Sequence, residues 1–339
     1  MNIFLTFDYE LFFGKKSGSL EKSILEPTNA LLDILDKHNA KATFFVDSGY
    51  LIKLKEYSVK DDKLKQDLVA ISSQIKKLSL NGHSIQLHIH PHWEDAVYEN
   101  NEWIFDTTRF TLNDFSGSEV DRIVCDYKDV LTEITHKPVF AFRAGGWCIQ
   151  PFSHVASAMK KHGVWLDSTV FYGGAYNSEN HSFNFKDAPY KDIWPFNQDL
   201  LKETEKGDFI ELPISSHKIK PWFYWKFLFI KIFKQRKHQY IGDGTPIGAG
   251  KQDIIKMLTQ SSYGVASVDG YKISYLKMAF KLYIQKSSEH FVLIGHPKAS
   301  TAYSLSKLSS FVAKHCDLHK FISVAEPTFI ASLSRKRND

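Results

Sequence analysis

The sequence of 339 residues predicts an α/β protein built as a closed or nearly closed β/α barrel. Short apolar runs alternate with segments of helical periodicity along nearly the whole chain. This strand–helix–strand order makes successive strands parallel, and about seven such units suggest a barrel. An open dinucleotide-binding sheet is disfavoured, because no glycine-rich turn follows the first strand.

The predicted strands are seven short apolar runs, residues 3–8, 41–46, 84–89, 139–143, 165–170, 291–295 and 321–325. Helices are predicted between them, for example over 27–39, which opens at Pro27, and over 118–135. Residues 171–250 interrupt the alternation, because they are rich in aromatic residues, Asn, Gly and Pro. We therefore expect a single domain, 1–339, with 171–250 as an insertion on the loop face, where barrel active sites form.

The composition is that of an ordinary globular protein, with 43% apolar and 24% charged residues. It excludes a collagen-like, disulfide-scaffold or disordered chain. No apolar run reaches the roughly 18 residues that a bilayer span needs. The amino terminus starts with a strand-like run and lacks the pattern of a signal peptide, and the three cysteines are far apart. We therefore expect a cytoplasmic protein.

Four of the 15 histidines lie within ten residues, from His83 to His92. Neutral imidazoles grouped at a strand end are typical ligands of a divalent metal. If the strand continues to residue 90, His88 and His90 share a face. Because Pro91 cannot continue a strand ladder, a turn can instead bring His88 and His92 together. We favour His88 and His92 as the metal ligands; a solvated histidine-rich turn is the simpler alternative.

The first strand offers carboxylates to the same site. Alternation along residues 4–10 places Asp8 and Glu10 on one side of the strand and Tyr9 on the other. One carboxylate can bind the metal while the other accepts a proton from metal-bound water, which is the arrangement that a metallohydrolase needs. Without the histidines beside it, such a pair is more often solvated surface charge.

Five short motifs follow one another in chain order at the ends of predicted strands: Thr6-Phe7-Asp8, His88 to His92, Arg143-Ala144-Gly145-Gly146-Trp147, Trp165-Leu166-Asp167-Ser168 and Leu293-Ile294-Gly295-His296. In this order they resemble the motifs of NodB-like polysaccharide deacetylases, carbohydrate esterase family four, from residue 3 to about residue 330. The resemblance implies a distorted seven-stranded, TIM-like β/α barrel. It also implies a metal-dependent hydrolase that removes acetyl groups from amino sugars.

Carried over residue by residue, the resemblance gives catalytic roles to four positions. Asp8 matches the catalytic base and Arg143 the residue that pairs with it. His296 matches the general acid, and Asp167 the partner of that acid.

The same resemblance gives the metal ligands, with one departure. His88 and His92 match the two metal-binding histidines. The family's usual metal-binding aspartate is Tyr9 here, so we assign the third ligand to Glu10. A divalent cation completes the predicted site, with zinc as the first choice and other first-row metals as alternatives.

Three further residues are candidates for substrate binding. His90 is an extra imidazole within reach of the site, and Trp147 and Trp194 can stack on sugar rings, although core packing is the commoner role of a single tryptophan. The expected substrate is an acetylated amino sugar. Location and family together favour a precursor of a surface polysaccharide such as O-antigen or capsule.

Residues 218–237 combine aromatic and basic side chains. In a helix that starts at residue 222, Lys226, Lys231, Lys234 and Lys237 fall within an arc of about 140°, with most apolar residues opposite. Aromatic side chains favour the headgroup region and lysines attract anionic lipid. We expect a peripheral contact with the inner face of the membrane that brings the site to a lipid-linked sugar. Packing on the barrel or on a second subunit is the alternative, and a nucleic-acid partner is disfavoured.

Two other classes of function stay open. A small-molecule amidohydrolase can use the same barrel to break a different C–N bond. A non-catalytic carbohydrate-binding protein is conceivable because Tyr9 replaces the usual ligand. Stoichiometric bound metal distinguishes an enzyme from a binding protein, and N-acetylated sugars tested against cyclic amides distinguish the two enzymes.

Overall fold

A curled sheet of mainly parallel strands forms the centre of the computed structural model, which describes residues 1–233, 235–248 and 250–337. In chain order the strands are β1 (Asn2–Tyr9), β2 (Ala42–Asp47), β3 (Ser84–Ile89), β4 (Val97–Glu99), β5 (Glu102–Ile104), β6 (Ala141–Ala144), β7 (Leu166–Asp167), β8 (Ala175–Asn177), β9 (Ser182–Asn184), β10 (Trp194–Phe196), β11 (Phe209–Glu211), β12 (Ser216–Ile219), β13 (Ser262–Val265), β14 (His290–Gly295) and β15 (Lys320–Phe321). The α-helices are α1 (Glu26–Lys37), α2 (Ser48–Tyr57), α3 (Asp62–Leu80), α4 (Gly117–Thr135), α5 (Ser153–Lys161), α6 (Pro221–Ile232), α7 (Lys251–Thr259), α8 (Leu276–Gln285), α9 (Ala302–His315) and α10 (Pro327–Leu333).

Seven of these strands follow one another in parallel across the main sheet, in the order β11-β7-β6-β3-β2-β1-β14. Strand β10 extends the sheet antiparallel to β11, and β15 pairs with β1. Backbone contacts join the two ends of the parallel run: the Ser215 amide donates to the Val292 carbonyl of β14 over 3.0 Å, and Ser267 forms a parallel bridge with Ile294. The predicted NodB-type β/α barrel is thus confirmed, but the main sheet has nine strands and not seven.

Alternate strand residues fill the inside of the barrel. This inner cluster is buried and consists of Phe4, Phe45, Ala141, Leu166, Ile210, Leu212, Val292, Val324, Phe329 and Leu333. Phe329 of α10 packs against Phe4 with 4.8 Å between ring centroids, close to where β1 begins. Helix α10 therefore closes the amino-terminal end of the barrel, and the carboxyl ends of the strands remain for chemistry.

Three predicted segments differ from the structure. The predicted strand 165–170 is reduced to the two residues of β7, and the predicted strand 321–325 is reduced to Phe321, the last residue of β15. Strands β10 and β11 both lie within 171–250, so this segment supplies a strand of the barrel and is not wholly an insertion. A strand of three residues is too short to show periodicity, which is why the sequence did not reveal β11.

The aromatic and basic segment 218–237 forms a helix over part of its length, α6. This helix ends at Ile232, and Lys237 lies in a separate 3-10 turn, Arg236–His238, so the predicted arc of four lysines does not form on one helix. Lys234 and Ala249 in 171–250, and Asn338 and Asp339 in 1–339, lie outside the described residues. Among the helices of the described ranges, none combines the length and apolar character that crossing a bilayer requires.

Candidate metal centre and catalytic site

The first strand places two carboxylates at the rim of the barrel. Asp8 lies in β1 and Glu10 directly follows the strand, and both side chains are buried. Tyr9 points to the opposite face, where its hydroxyl donates to Oε1 of Gln74 on α3 over 2.7 Å. The alternation expected from the sequence is therefore present, and Asp8 and Glu10 share a side of the strand.

Glu10 lies at the centre of a group of candidate metal ligands. Its Oε2 atom is 3.0 Å from Nε2 of His88 and 2.7 Å from Nε2 of His90. One ligand atom from each of the three residues lies within 4.8 Å of the others. Lys298 donates to the second oxygen, Oε1, over 2.7 Å. Burial raises the pKa of Glu10, but Lys298 and the two histidines outweigh burial and hold this pKa well below its usual value.

The two histidines differ in their surroundings. Nδ1 of His88 is 2.8 Å from the Arg143 carbonyl, to which it can only donate, so Nε2 is the atom that His88 presents to Glu10. Burial lowers the pKa of His88, yet Asp8 and Glu10 raise it to about 9. Burial dominates at His90 and lowers its pKa to about 4. A ligand histidine whose other nitrogen donates to a carbonyl is the usual arrangement in metal sites, so these residues fit a divalent cation.

His92, the second ligand predicted from the sequence, lies outside this group of three residues, and its place is taken by His90. Strand β3 ends at Ile89, His90 continues in extended conformation, and a 3-10 turn begins at Pro91. His88 and His90 therefore share a face, as the first of the two alternatives requires. The turn places the His92 ring among aromatic rings, stacked on Phe110 at 5.6 Å between centroids. Both ring nitrogens of His92 are buried without a hydrogen-bond partner.

Asp8 forms a buried ion pair with Arg143, as predicted. The NH1 nitrogen of Arg143 donates to Oδ1 of Asp8 over 2.7 Å. Nε of Arg143 donates to the Ser168 carbonyl over 2.7 Å, and its guanidinium lies 4.3 Å from the centroid of the Phe45 ring. Arg143 is fixed from several sides, so the position of Asp8 Oδ1 is fixed as well.

His296 completes the site from the other side of β1. Its Nε2 atom lies 3.6 Å from Oδ2 of Asp8 and 3.7 Å from Oε1 of Glu10. Its Nδ1 atom donates to Oδ2 of Asp269 over 2.9 Å. Burial lowers the pKa of His296, but the carboxylates of Asp269, Asp8 and Glu10 outweigh burial and raise it. The arrangement favours an imidazolium whose Nε2–H faces the site.

Asp167 is not the partner of His296, which corrects a second prediction. It ends β7, and the carboxylate that contacts Nδ1 of His296 is that of Asp269. Asp167 instead hydrogen-bonds with Glu211 at the end of β11. Burial raises the pKa of both carboxyl groups, that of Glu211 most strongly. Burial therefore favours a proton on this pair, which belongs to the barrel interior.

The predicted substrate-binding residues separate in the structure. Trp194 on β10 is fully buried and its Nε1 donates to the Leu200 carbonyl, so it is a core residue and not a sugar platform. Trp147 is partly buried at the rim, against Phe171 and Phe183. His90 contacts Glu10 directly and therefore lies in the metal-ligand group.

Three residues of the site were absent from the sequence-based prediction. Lys298 lies in the 3-10 turn Pro297–Ala299 after β14, where strand alternation no longer applies. Asp269 follows Ser267, whose bridge to β14 is a single residue and leaves no periodic signal. Asp47 ends β2 opposite His88, accepts a hydrogen bond from Trp93 Nε1, and has its pKa raised to about 8 by burial.

Comparisons with known proteins agree with this geometry. The family model described as polysaccharide deacetylase matches residues 2–166. A solved structure from Mycobacterium smegmatis, provisionally assigned as a polysaccharide deacetylase, has a TM-score of 0.54 and 18% identity, covering 98% of this chain and 90% of that chain. Peptidoglycan deacetylase PdaC from Bacillus subtilis has a TM-score of 0.37 and 11% identity, covering 98% and 91%. Only the first similarity is close enough to show a shared fold. No curated protein sequence matches the chain.

Proposed function

We propose that this chain, which the polysaccharide deacetylase family model matches over residues 2–166, is a metal-dependent hydrolase that removes the acetyl group from an N-acetylated amino sugar. One observation supports this most strongly. Glu10, His88 and His90 lie within 4.8 Å of one another, and the buried Asp8–Arg143 pair and the His296–Asp269 pair adjoin them at the same rim.

Glu10, His88 and His90 are the proposed holders of a divalent cation, with zinc as the first choice. One carboxylate and two imidazoles form a ligand set that leaves further coordination positions for water and substrate. When bound, such an ion acidifies a water molecule and polarises the acetyl carbonyl. The hydrogen bond that Nδ1 of His88 donates to the Arg143 carbonyl keeps Nε2 of His88 directed toward the site.

Asp8 is the proposed general base. Its Oδ1 atom is held by Arg143, so Oδ2 is the atom that remains to accept a proton from the attacking water. The Oδ2 atom faces His296 at 3.6 Å, which places base and acid on either side of one small volume. The base is thus fixed before substrate arrives, which general-base catalysis requires.

His296 is the proposed general acid. Asp269 accepts from Nδ1, so the proton on Nε2 is directed toward the site and toward the leaving amine. The negative charge of Asp269 stabilises the imidazolium before the proton is donated. Asp269 does not itself exchange a proton with substrate, and it is a positioning residue.

The proposed substrate is a lipid-linked precursor of a surface polysaccharide, such as an O-antigen or capsule intermediate, deacetylated on the cytoplasmic side of the membrane. The family supports an acetylated carbohydrate, and the aromatic and basic segment 218–237 supports a peripheral membrane contact. A panel of nucleotide-linked and lipid-linked N-acetylhexosamines, with acetate release as the measurement, identifies the sugar.

The test of the mechanism is Asp8→Asn, because asparagine keeps the shape of Asp8 and cannot accept the proton. We expect acetate release to fall by about 100-fold or more while stoichiometric metal is retained. The matched control is Asp62→Asn, at an exposed position on α3, which should keep full activity. Full activity of Asp8→Asn would remove Asp8 as the base. Absence of metal after reconstitution would favour a carbohydrate-binding protein, and hydrolysis of cyclic amides alone would favour an amidohydrolase.

A further inference from the structure

An apolar stripe lies exposed along α6. Trp222, Trp225, Phe229 and Ile232 follow one another at intervals of three and four residues, so they lie on one face of the helix. Their exposed fractions are 65%, 42%, 54% and 62%. Within α6 only Phe223 is buried. A helix packed on a barrel turns its apolar face inward, whereas α6 turns much of its apolar surface outward.

Helix α7 extends this apolar surface. Nε1 of Trp225 donates to the Leu258 carbonyl over 3.1 Å and ties the two helices together. Ile254 and Ile255 on α7 are 43% and 62% exposed. The α6–α7 surface is defined by its exposed apolar residues, Trp222, Trp225, Phe229, Ile232, Phe233, Ile254 and Ile255.

Positive charge surrounds the α6–α7 surface. Residues 212–242 contain no Asp or Glu. The exposed basic residues of α6, α7 and their flanks are Lys218, Lys220, Lys226, Lys231, Arg236, Lys237, Lys251 and Lys256. Within α7 the one acidic residue, Asp253, accepts from the Tyr176 hydroxyl over 3.3 Å. Exposed aromatic residues bordered by lysines are complementary to a surface that is apolar below and anionic above.

A cavity of about 350 Å³ lies directly behind α6. Phe227, Ile230 and Lys231 form its helical wall, and Tyr240, Gly242 and Tyr271 form part of the opposite wall. Gly242 fits tightly against the rim, since an added Cβ would lie 2.5 Å from the Lys298 carbonyl oxygen and 2.6 Å from the Phe12 ring. Lys298 in turn donates to Glu10. Gly242 in the cavity wall therefore packs against a residue that contacts the candidate metal centre.

We propose that the α6–α7 surface docks on an anionic lipid bilayer and holds the rim of the barrel beside membrane-anchored molecules. The tryptophans enter the headgroup region, and the lysines are attracted by the net negative charge of anionic lipid, which zwitterionic lipid lacks. The docking proposal depends only on the exposed apolar residues of the α6–α7 surface and on the positive charge around them. The use of a lipid-linked substrate rests on the proposed function. The competing occupant is a second copy of this chain. Pairing of two identical surfaces would bring their positive charges together, so it gives the surrounding lysines no favourable role.

Co-sedimentation of the full-length protein with phospholipid vesicles tests the docking. The native protein should sediment with vesicles containing phosphatidylglycerol and remain in solution with pure phosphatidylcholine. The double variant Trp222→Ser, Phe229→Ser should reduce the vesicle partition coefficient at least tenfold. The charge variant Lys226→Glu, Lys231→Glu should do the same for anionic vesicles. These side chains are exposed, so the variants should fold. An unchanged circular dichroism spectrum checks that they do.

Matched variants elsewhere on the surface provide the control. Val59→Ser, Leu80→Ser removes two side chains that are 82% and 75% exposed, and Lys65→Glu, Lys76→Glu reverses two exposed charges on α3. Both should bind anionic vesicles like the native protein. The proposal is overturned if the native protein does not sediment with anionic vesicles, or if the α6–α7 variants bind these vesicles as strongly as the native protein does. It is also overturned if sedimentation velocity shows a dimer that the Trp222 and Phe229 substitutions dissociate.

Failure of docking and failure of the proposed function give different results. The Trp222 and Phe229 variant should release acetate from a water-soluble N-acetylhexosamine at the native rate. A native protein that binds vesicles but releases no acetate from any substrate keeps the docking surface and contradicts the proposed function. A protein that releases acetate but binds no vesicle keeps the proposed deacetylase activity and contradicts the docking surface.

Discussion

Glu10 and Lys298 form a buried ion pair inside the candidate metal centre. A buried carboxylate is costly unless opposite charges and hydrogen bonds surround it. Lys298 donates to one oxygen of Glu10, and His88 and His90 contact the other. One oxygen is therefore committed to the protein scaffold, and the other faces the two imidazoles. This division explains how the carboxylate can be held rigidly and still act as a ligand.

The two candidate ligand histidines can be distinguished by replacing each with phenylalanine. His90→Phe keeps a ring of similar volume but removes the Nε2 atom that lies 2.7 Å from Glu10, so we expect loss of bound metal. His92→Phe should keep stoichiometric metal, because the His92 ring lies among Phe13, Phe105 and Phe110 outside the ligand group. It should also raise the melting temperature, since burying an unpartnered polar group costs about 1–3 kcal/mol.

Metal content after reconstitution and thermal melts measure both effects. Both variants should retain the circular dichroism spectrum of the native protein, which controls for misfolding. Retention of metal by His90→Phe together with its loss in His92→Phe would restore His92 as the ligand and contradict the grouping described above.

At the scale of the elements, strand ends were the most predictable feature of the chain. Asp8, His88, Arg143 and His296 lie at or just after ends of barrel strands, as the sequence pattern predicts. A period of two residues fixes which side chains face the rim, so Asp8 and Glu10 could be paired in advance. The sequence could not decide whether His90 or His92 lies beside His88. Pro91 ends the strand ladder in either case, so it is compatible with both pairs.

Contacts between elements far apart in sequence were the least predictable. Asp269 reaches His296 because the backbone of residues 266–268 lies along β14, and that segment is joined by isolated hydrogen bonds and no regular strand. The Asp167–Glu211 contact likewise depends on β11, a strand of only three residues. Local periodicity carries no information about either pairing, because each depends on which segments lie side by side in the folded chain.

The turn after β6 makes room for the His90 ring. Gly145 is the first residue of this turn, and the Cβ that alanine would add there lies 2.5 Å from Nδ1 of His90. Gly145→Ala should push the ring away from Glu10 and weaken metal affinity by about tenfold or more. It should also destabilise the protein by about 1–3 kcal/mol through overpacking.

A second glycine provides the control for this substitution. Gly117 begins α4, and a Cβ there would meet no atom within 4 Å. Gly117→Ala should therefore leave metal affinity unchanged, as measured by competition with a metal-binding dye. Equal metal affinity of Gly145→Ala and the native protein would show that the turn does not restrict His90.

At the scale of the whole molecule, the closed sheet joins the two ends of the chain. Strand β1 pairs with β14 and β15, so Asp8 and Glu10 lie beside His296 and Lys298 although they are separated by about 288 residues in sequence. The candidate site is thus assembled only when the barrel is complete. A metal bound at the proposed site would therefore stabilise the whole fold, because it binds only the assembled rim.

The barrel interior also carries a proton whose presence links stability to pH. Asp167 and Glu211 are buried side by side, and Oδ2 of Asp167 and Oε2 of Glu211 have no donor apart from each other. Burial raises both pKa values in the folded state, so the folded protein retains a proton that the unfolded chain releases as the pH rises above the usual carboxyl range. Stability from this pair is therefore present at low pH and is lost as the pH increases.

Glu211→Gln should remove this dependence, because the amide donates to Asp167 permanently and its oxygen can still accept from the Val170 amide. The melting temperature of the variant, relative to that of the native protein, should be higher at pH 8 than at pH 5, by about 1–2 °C for each 1 kcal/mol. Differential scanning fluorimetry at the two pH values measures the gain. Glu179→Gln, at an exposed position, should show no such change. An equal difference at both pH values would mean that the pair holds no proton. The pair joins two neighbouring strands of the main sheet, because Asp167 of β7 lies opposite Glu211 of β11 in the parallel pairing.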